Sequence, residues 1–315
     1  MRAELPLGTR DPLEVDGYRV VRRLAQGGQG VVYLARTPDD DLVALKLLHP
    51  GWLEEPTARE RLVKEIGAAR TVARFCVAQV LDAKVDGDTP YIVSEFVEGP
   101  SLSQHVKERG PLRGAALDRL AVATATALAA IHRARIVHRD LKPSNVMLGP
   151  DGPRVIDFGI ARDLSLETTS TGRIVGSPNY MSPEQLSGLV VGPPADVFSW
   201  GCTVVFAATG RSPFTGDTLV ALMYQVVHAD PDTEGVPEPL RGLVERCLAK
   251  DPDARPTSEQ VLLALLGGPG LPAAAPVEAP VDAPAGPAGP ADAAAPVAAL
   301  AITTWSEFAS TFGFG

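Results

Sequence analysis

The residue types best suited to chemistry are concentrated in the segment His138–Asn145, which has the sequence HRDLKPSN. The carboxylate of Asp140 could accept the proton of a hydroxyl group. Lys142 could neutralise the charge of a phosphoryl group during its transfer, and the side-chain oxygen of Asn145 could hold a metal ion. The three side chains together indicate chemistry at a phosphoryl group.

A second acidic residue follows a short distance along the chain. Asp157 begins the triplet Asp-Phe-Gly and comes directly after a short apolar strand predicted for Arg154–Ile156. Its carboxylate would be a hard oxygen ligand of the kind that Mg²⁺ prefers. Either fragment alone could be a turn, but chance is a poor explanation for both in this order and spacing.

Two features of the first seventy residues accompany these segments. Lys46 lies in a mostly apolar strand, where an ammonium group is costly to bury unless it is paired. Glu65 on the following helix is the natural partner, and a surface lysine is the alternative. In the glycine cluster Gln26–Gly30, backbone N–H groups could approach phosphate oxygens because no Cβ is in the way. Such a cluster alone is more often a hairpin turn.

The elements that must position these residues fall into two groups. The pattern predicts a small, strand-rich part followed by a larger helical part, which is an α+β arrangement. Clefts between two such lobes commonly hold ligands. The predicted strands are Tyr18–Ala25, Val31–Arg36, Leu42–Leu48 and Tyr91–Phe96, and the predicted helices are Pro56–Ala73, Ala115–Ala134, Ala195–Thr209 and Thr257–Leu266.

Composition and charge exclude several classes of function. The net charge of −9 argues against a nucleic-acid partner, because binding to the phosphate backbone needs clustered Lys and Arg. The three cysteines are too few and too far apart for a disulfide framework or a zinc site, which favours a reducing compartment. The chain has neither the apolar region of a signal peptide nor an apolar run of about 18 residues. We therefore expect a cytoplasmic protein without a membrane span.

The composition changes after residue 267. Residues 268–299 are almost entirely Pro, Ala, Gly and Val, which predicts a disordered linker. In the last segment, 300–315, Thr304 and Glu307 form a capping box, and aromatic residues recur at spacings of three and four. This segment is either a disordered tail or a docking motif for the chain itself or a partner protein.

In this order and spacing, the motifs resemble those of the protein kinase superfamily, and most closely those of the eukaryotic-like Ser/Thr kinases of bacteria. The resemblance covers about residues 14–267, after an N-terminal arm at 1–13. It implies a β-rich N-lobe at about 14–97 with one regulatory helix, and a larger helical C-lobe at about 98–267. It also implies transfer of the γ-phosphate of ATP to Ser or Thr hydroxyls of protein substrates.

The resemblance implies a role for each matching catalytic residue. Asp140 would orient the substrate hydroxyl and Lys142 would steady the γ-phosphate. Lys46 would contact the α- and β-phosphates, and Glu65 would pair with it. Lys142 also favours Ser/Thr over tyrosine substrates, since tyrosine kinases usually have an arginine pattern at this place.

The same resemblance implies the binding of ATP and of Mg²⁺ or Mn²⁺. Asn145 and Asp157 would hold the metal. The loop over the phosphates would contain Gly27, Gly28 and Gly30, with Ala25 where the family has its first glycine. The residues around adenine would be Val32, Ala44 and Met147 on its two faces, Ser94 behind it at the gatekeeper position, and Glu95 and Val97 through their backbones.

Further matches imply structural and regulatory roles. Asp196 would brace the catalytic loop, and Arg255 would pair with Glu184 of a Ser-Pro-Glu motif in which Ser182 replaces the family's alanine. Arg139 precedes Asp140 and would pair with a phosphate on the polar loop that follows Gly159. The predicted autophosphorylation sites in that loop are Thr169 and Thr171.

Two alternatives remain beside the protein kinase prediction. One is a pseudokinase scaffold that binds ATP without catalysis, although Lys46, Asp140 and Asp157 are all present. The other is a small-molecule phosphotransferase of kinase-like fold. The Ser-Pro-Glu segment and the threonine-rich loop favour a protein substrate over that second alternative.

Overall fold

The computed structural model describes residues 7–27, 30–49, 56–72, 75–87, 89–157 and 178–268. All of them belong to the first of two units, Met1–Ala273. The second unit, Ala274–Gly315, lies outside the described residues, and so do most of the predicted linker and all of the predicted aromatic segment.

The N-terminal part of the described chain forms one antiparallel sheet with the strand order β1-β2-β3-β4-β6-β5. The first four strands follow one another through short connections, as antiparallel pairing allows, whereas a helix lies between the fourth and the fifth. The strands are β1 (Glu14–Val15), β2 (Tyr18–Gly27), β3 (Gly30–Arg36), β4 (Leu42–Leu48), β5 (Val80–Lys84) and β6 (Tyr91–Glu95).

One face of this sheet buries an apolar core. Successive residues of a strand point to opposite faces, so every second residue contributes to it. A short N-terminal arm helps to cover this face: Leu7 packs against the core, and the Asp11 carboxylate accepts hydrogen bonds from Arg23 and, at 2.7 Å, from the Tyr33 hydroxyl. The core residues are Val15, Val20, Tyr33, Ala35, Val43, Leu45, Tyr91 and Val93.

The regulatory helix predicted between β4 and β5 is present as α1 (Pro56–Ala69) and packs beside β5. Its predicted end at Ala73 is wrong. The Thr71 hydroxyl donates to the Ala68 carbonyl at 2.7 Å, and the Thr71 N–H donates to the same oxygen at 2.9 Å. This local side-chain bond competes with continuation of the helix and closes it in a turn.

The C-terminal part of the described chain is mainly helical, with a small hairpin of two strands. At its centre lies α5, whose Trp200 is fully buried and donates from Nε1 to Thr124 Oγ1 at 2.9 Å. The elements are α2 (Leu102–Arg109), α3 (Ala115–Arg133), β7 (Val146–Gly149), β8 (Gly152–Val155), α4 (Pro183–Leu186), α5 (Pro193–Thr209), α6 (Leu219–His228), α7 (Leu240–Cys247) and α8 (Ser258–Leu265).

Among the described residues, α3 alone has the length and composition of a membrane-spanning helix. Leu117, Leu120, Leu128 and Ile131 on this helix are buried, and α3 packs against α5, α8 and β8. The core of the helical lobe therefore accounts for the apolar residues of α3.

The two lobes are joined by close backbone contacts. Ala78 N–H donates to Val155 O at 2.9 Å, which ties the chain before β5 to β8. At Gly99, with φ of +122°, an added Cβ would lie 2.3 Å from Leu148 O. Only glycine permits this approach and this conformation.

Candidate active site

The second face of the sheet carries several predicted nucleotide-binding residues. Residues directly opposite each other in antiparallel strands have their side chains on the same face. Val32 lies opposite Lys46, Ala44 lies opposite Ser94, and Ala25 lies opposite Val32. Strand register therefore brings these five residues, which come from four strands, onto one face of the sheet.

A small apolar cluster lies where the two lobes meet. Val97 and Met147 are buried together with Ala78, and Ile156 packs against them. Val97 follows β6 and Met147 lies on β7, so the cluster spans the connection between the lobes. Its composition suits a flat apolar ring, in agreement with the positions predicted around adenine.

One of the two backbone polar groups of Glu95 already has a hydrogen-bond partner in the protein. Its N–H donates to Gln79 O at 2.9 Å, which leaves its carbonyl as the backbone group for an adenine contact. The Glu95 side chain accepts from Arg154 Nη1 at 2.5 Å, so the end of β6 is also tied to β8.

The glycines of the loop between β2 and β3 differ in what surrounds them. At Gly30, with φ of +150°, an added Cβ would lie 1.8 Å from Leu47 O, so glycine is required by the neighbouring strand. At Gly27 an added Cβ would meet nothing within 4 Å. Gly27 thus has the open surroundings that close approach by a phosphate needs, whereas Gly30 has a structural reason to be glycine. Gly28 lies outside the described residues.

The predicted catalytic side chains of the HRDLKPSN segment meet in one place. Lys142 Nζ lies 2.9 Å from Asp140 Oδ2. Asn145 Nδ2 donates to the Asp140 carbonyl at 2.9 Å and to Asp140 Oδ2 at 3.2 Å. These bonds fix the orientation of the Asp140 carboxylate and of the Asn145 amide.

Asp196, which is fully buried on α5, contacts the backbone of the predicted catalytic loop. Its carboxylate accepts from the N–H groups of His138 and Arg139, both at 2.7 Å, and lies 2.8 Å from His132 Nε2. Burial lowers the pKa of His138, while the nearby carboxylates of Asp196 and Asp140 act in the opposite direction. The predicted bracing contact of Asp196 with the loop is thus present.

Arg255 and Glu184 form a buried, bidentate ion pair with distances of 2.7 and 2.9 Å. The other guanidinium N–H groups donate to the carbonyls of Ala249, Pro194 and Lys250. Every donor of the guanidinium therefore has an acceptor, which a buried arginine requires. This pair is placed as the sequence predicts.

The sequence analysis missed a contact beside that ion pair. Ser182 and Gln185 form a capping box at the start of α4: Ser182 N–H donates to Gln185 Oε1 at 3.0 Å. Gln185 Nε2 also donates to the carbonyl of Arg139 at 3.1 Å. The pattern Ser-x-x-Gln was an available signal for the capping box, because it marks a helix start, but it does not indicate the bond to Arg139.

The regulatory helix contacts the catalytic loop through Glu65, whose Oε1 lies 3.9 Å from Arg139 Nη1. This distance corresponds to a loose ion pair. It places the charge of α1 next to the residue that precedes Asp140. The pairing of Glu65 with Lys46 stays a prediction.

The predicted metal ligands fit a hard cation. Because Asn145 uses its Nδ2 on Asp140, its Oδ1 is the atom suited to a metal. Asp157 is exposed, and its φ of 53° belongs to the left-handed region that Asp tolerates. Within the described ranges no group of three or more His, Cys, Asp or Glu residues could hold a metal. Mg²⁺ shared with phosphates needs only one or two protein carboxylates.

The predicted phosphorylation sites Thr169 and Thr171 lie outside the described residues, as do Phe158 and Gly159. The described chain resumes at Pro178, just before the Ser-Pro-Glu motif.

Comparison with known families decides the classification. The family model described as protein kinase domain matches residues 18–264. The chain belongs to this family. The kinase is similar to a probable serine/threonine-protein kinase PkwA of Thermomonospora curvata, with 45% identity over 261 residues, covering 82% of this chain and 35% of PkwA. It is also similar to the serine/threonine-protein kinase AfsK of Streptomyces griseus, with 44% identity over 264 residues, covering 82% and 33%.

A third relative is the serine/threonine-protein kinase PknL of Mycobacterium tuberculosis, with 36% identity, 79% of this chain and 65% of PknL covered. The kinase thus spans only about a third of PkwA and AfsK. The fold matches the crystal structure of Rad53 1–466 in complex with AMP-PNP, with a TM-score of 0.65 and 24% identity, over 78% of this chain and 64% of that one. The predicted two-lobed kinase fold and the resemblance to bacterial Ser/Thr kinases are confirmed.

Proposed function

We propose that this kinase transfers the γ-phosphate of ATP to serine or threonine hydroxyls of proteins. The observation that carries the proposal is the arrangement of Asp140, Lys142 and Asn145, with side-chain distances of 2.9 and 3.2 Å around one carboxylate. The names of the relatives support the same activity.

The proposed reaction depends on positioning and on charge stabilisation rather than on covalent chemistry by the protein. The Asp140 carboxylate orients the substrate hydroxyl and accepts its proton while the hydroxyl oxygen bonds to the γ-phosphorus and the bond to ADP breaks. Lys142, held beside Asp140, neutralises the phosphoryl group in transfer. Lys46 contacts the α- and β-phosphates from the sheet.

The family uses ATP with a divalent metal in general, and Mg²⁺ or Mn²⁺ would supply charge neutralisation for the phosphates. We propose Asn145 Oδ1 and the Asp157 carboxylate as its protein ligands. The hydrogen bonds from Asn145 Nδ2 to Asp140 support this assignment, because they orient the oxygen of the amide.

Two aspects of regulation and location belong to the same proposal. The contact of Glu65 with Arg139 supports a role for α1 and the phosphorylated loop in switching activity, since both supply anions to one guanidinium. Cys76, Cys202 and Cys247 are buried free thiols, which supports the reducing environment of the cytoplasm.

The test is incubation of the purified protein with labelled ATP, without and with a general protein substrate. We expect label on the kinase itself and on the added protein. Asp140→Asn should lower the rate by a factor of order 10² or more, as removal of a positioned catalytic group does, while ATP still binds.

The outcomes separate the alternatives. ATP binding without transfer would favour the pseudokinase scaffold, and transfer to small molecules with no labelled protein would favour a small-molecule phosphotransferase. An Asp140→Asn rate within a few-fold of the parent rate would remove the catalytic assignment.

A further inference from the structure

The side-chain amide of Gln185 joins two parts of the active site. Its Oε1 accepts the N–H of Ser182 at 3.0 Å and completes the capping box of α4. Its Nε2 donates to the carbonyl of Arg139 at 3.1 Å. One half-buried side chain thus connects the start of α4 to the loop that carries Asp140.

The peptide groups on both sides of Arg139 are held in place. The N–H of Arg139 donates to Asp196 Oδ1 at 2.7 Å. The next peptide group joins Arg139 to Asp140. Its carbonyl accepts from Gln185 Nε2, and its N–H, which belongs to Asp140, donates to His138 Nδ1 at 3.2 Å. Asp140 is attached directly to this second peptide group, so the plane of that group sets the direction of the Asp140 side chain.

These contacts maintain an unfavourable backbone conformation. Arg139 has φ of +60°, in the left-handed region that residues other than glycine avoid. Such a conformation costs about 1–3 kcal/mol and persists only where the surroundings over-determine it. Gln185 supplies the hydrogen bond on the carbonyl side, where Asp196 does not reach.

We infer that Gln185 is a positioning residue, which holds the Arg139–Asp140 peptide group and thereby aligns Asp140. The inference rests on the proposed kinase function. It gives the short helix α4 a task beyond its Glu184–Arg255 ion pair: the segment that follows the activation loop also fixes the catalytic loop.

Gln185→Glu separates this role from helix capping. Glutamate keeps an oxygen for the Ser182 N–H and is well suited to this place in a capping box. It lacks the Nε2 donor, so a carboxylate oxygen would face the carbonyl oxygen of Arg139 without a hydrogen bond between them. We expect kcat to fall by about tenfold or more, because a small misplacement of a catalytic group slows the chemical step. KM for ATP should stay within about twofold of the parent value.

The chain offers a matched control in α8. Thr257 and Gln260 form a capping box of the same kind, with Thr257 N–H donating to Gln260 Oε1 at 2.8 Å. The hydrogen bond given for the Gln260 side chain goes to Thr257 and not to the catalytic loop. Gln260→Glu makes the same chemical change and should leave kcat at the parent value. A parental kcat for Gln185→Glu would overturn the inference.

Gln185→Met is the second variant, because it keeps the length of the side chain without a donor or a carboxylate. We expect the same loss of kcat, and a parental kcat in this variant would equally overturn the inference. Asp140→Asn in the same assay separates the two proposals. If Asp140→Asn is inactive and Gln185→Glu is fully active, only the positioning role is ruled out. If Asp140→Asn is fully active, the proposed function is ruled out as well.

Discussion

At the scale of single residues, we expect Ser94 to lie behind the proposed adenine site. It is half-buried and lies opposite Ala44 in the sheet, on the face that carries Lys46. A methionine here would fill that space. Inhibitors with a bulky aromatic group directed behind adenine should therefore bind the parent at least about tenfold more tightly than Ser94→Met, since a clash of several atoms costs about 1–3 kcal/mol.

Inhibition constants for a pair of inhibitors, one with and one without the aromatic group, check this prediction. The inhibitor without the group is the control and should discriminate little between the two proteins. Equal inhibition of both proteins by the bulky compound would contradict the proposed position of Ser94.

The burial of His138 predicts that the stability of the kinase depends on pH. Burial lowers its pKa below the ordinary value of 6.5, so the folded state holds a neutral imidazole. In the window between the lowered pKa and 6.5 the unfolded state binds more protons, so the free energy of unfolding rises with pH there. The contribution is fully present above pH 6.5 and is lost as pH falls through that window.

Urea unfolding midpoints at several values between about pH 5 and 8 measure this effect. His138→Phe should have a flatter dependence on pH than the parent, because it removes the group that must become charged. His49→Gln, a change at an exposed histidine, is the control and should keep the parent slope. A parental slope in His138→Phe would show that other groups cause the dependence.

At the scale of elements, we expect phosphorylation of the activation loop to act on α1 through Arg139. Phosphates on Thr169 and Thr171 would offer Arg139 stronger, charge-assisted bonds than Glu65 does at 3.9 Å. Mass spectrometry of the expressed kinase should find phosphate on one or both threonines. The double variant Thr169→Ala/Thr171→Ala should lose activity by roughly tenfold, the equivalent of about 1.4 kcal/mol.

The neighbouring pair Thr168→Ala/Ser170→Ala is the matched control, because it removes the same number of hydroxyls from the same loop. It should retain most of the parent activity. Full activity of the Thr169/Thr171 double variant would refute the switch.

Elements whose apolar residues recur with a clear period were predictable from the sequence, whereas short or mostly exposed elements were not. The long apolar segment of α5 and the alternating strands β3 and β4 were predicted to within about two residues. The hairpin of β7 and β8 has four residues in each strand, too few to show a period, and only part of β8 was predicted. In β5, four of the five residues are half-buried or exposed, so the strand has no alternating buried face.

For the site, residue identity predicted which side chains meet but not how they are held. The motif predicted that Asp140, Lys142 and Asn145 lie close together, and their side chains do meet. The donor from Gln185 to the Arg139 carbonyl depends on the path of two loops that are 46 residues apart in sequence, so no local pattern contains it. Likewise, the reason for glycine at position 30 is a carbonyl on the adjacent strand, which is a tertiary contact.

At the scale of the whole molecule, the described fold closes at the end of α8. Gly267 has φ of +74° and donates to Ala264 O at 3.2 Å, while Gly268 N–H donates to Leu263 O at 2.9 Å. These two bonds form a Schellman motif, which ends the helix. Truncation after Gly268 preserves the motif and should leave autophosphorylation within about twofold of the full chain and the thermal midpoint within about 2 °C.

Assays of the full and truncated chains side by side check this prediction. Trp305→Ala in the full chain is the companion variant: it should alter partner binding or regulation only if residues 300–315 dock. Loss of autophosphorylation on truncation would mean that the tail contributes to the catalytic unit.

The apolar face of α3 has a consequence for the synthesis of this kinase. Helix α5, which packs against this face, begins about 60 residues after α3 ends. At about 5–20 residues per second, a ribosome needs roughly 3–12 s to reach that helix. During this interval the nascent chain presents a stretch long and apolar enough to resemble a signal for membrane insertion. We therefore expect correct sorting of the nascent chain to depend on chaperones or on early collapse around α3.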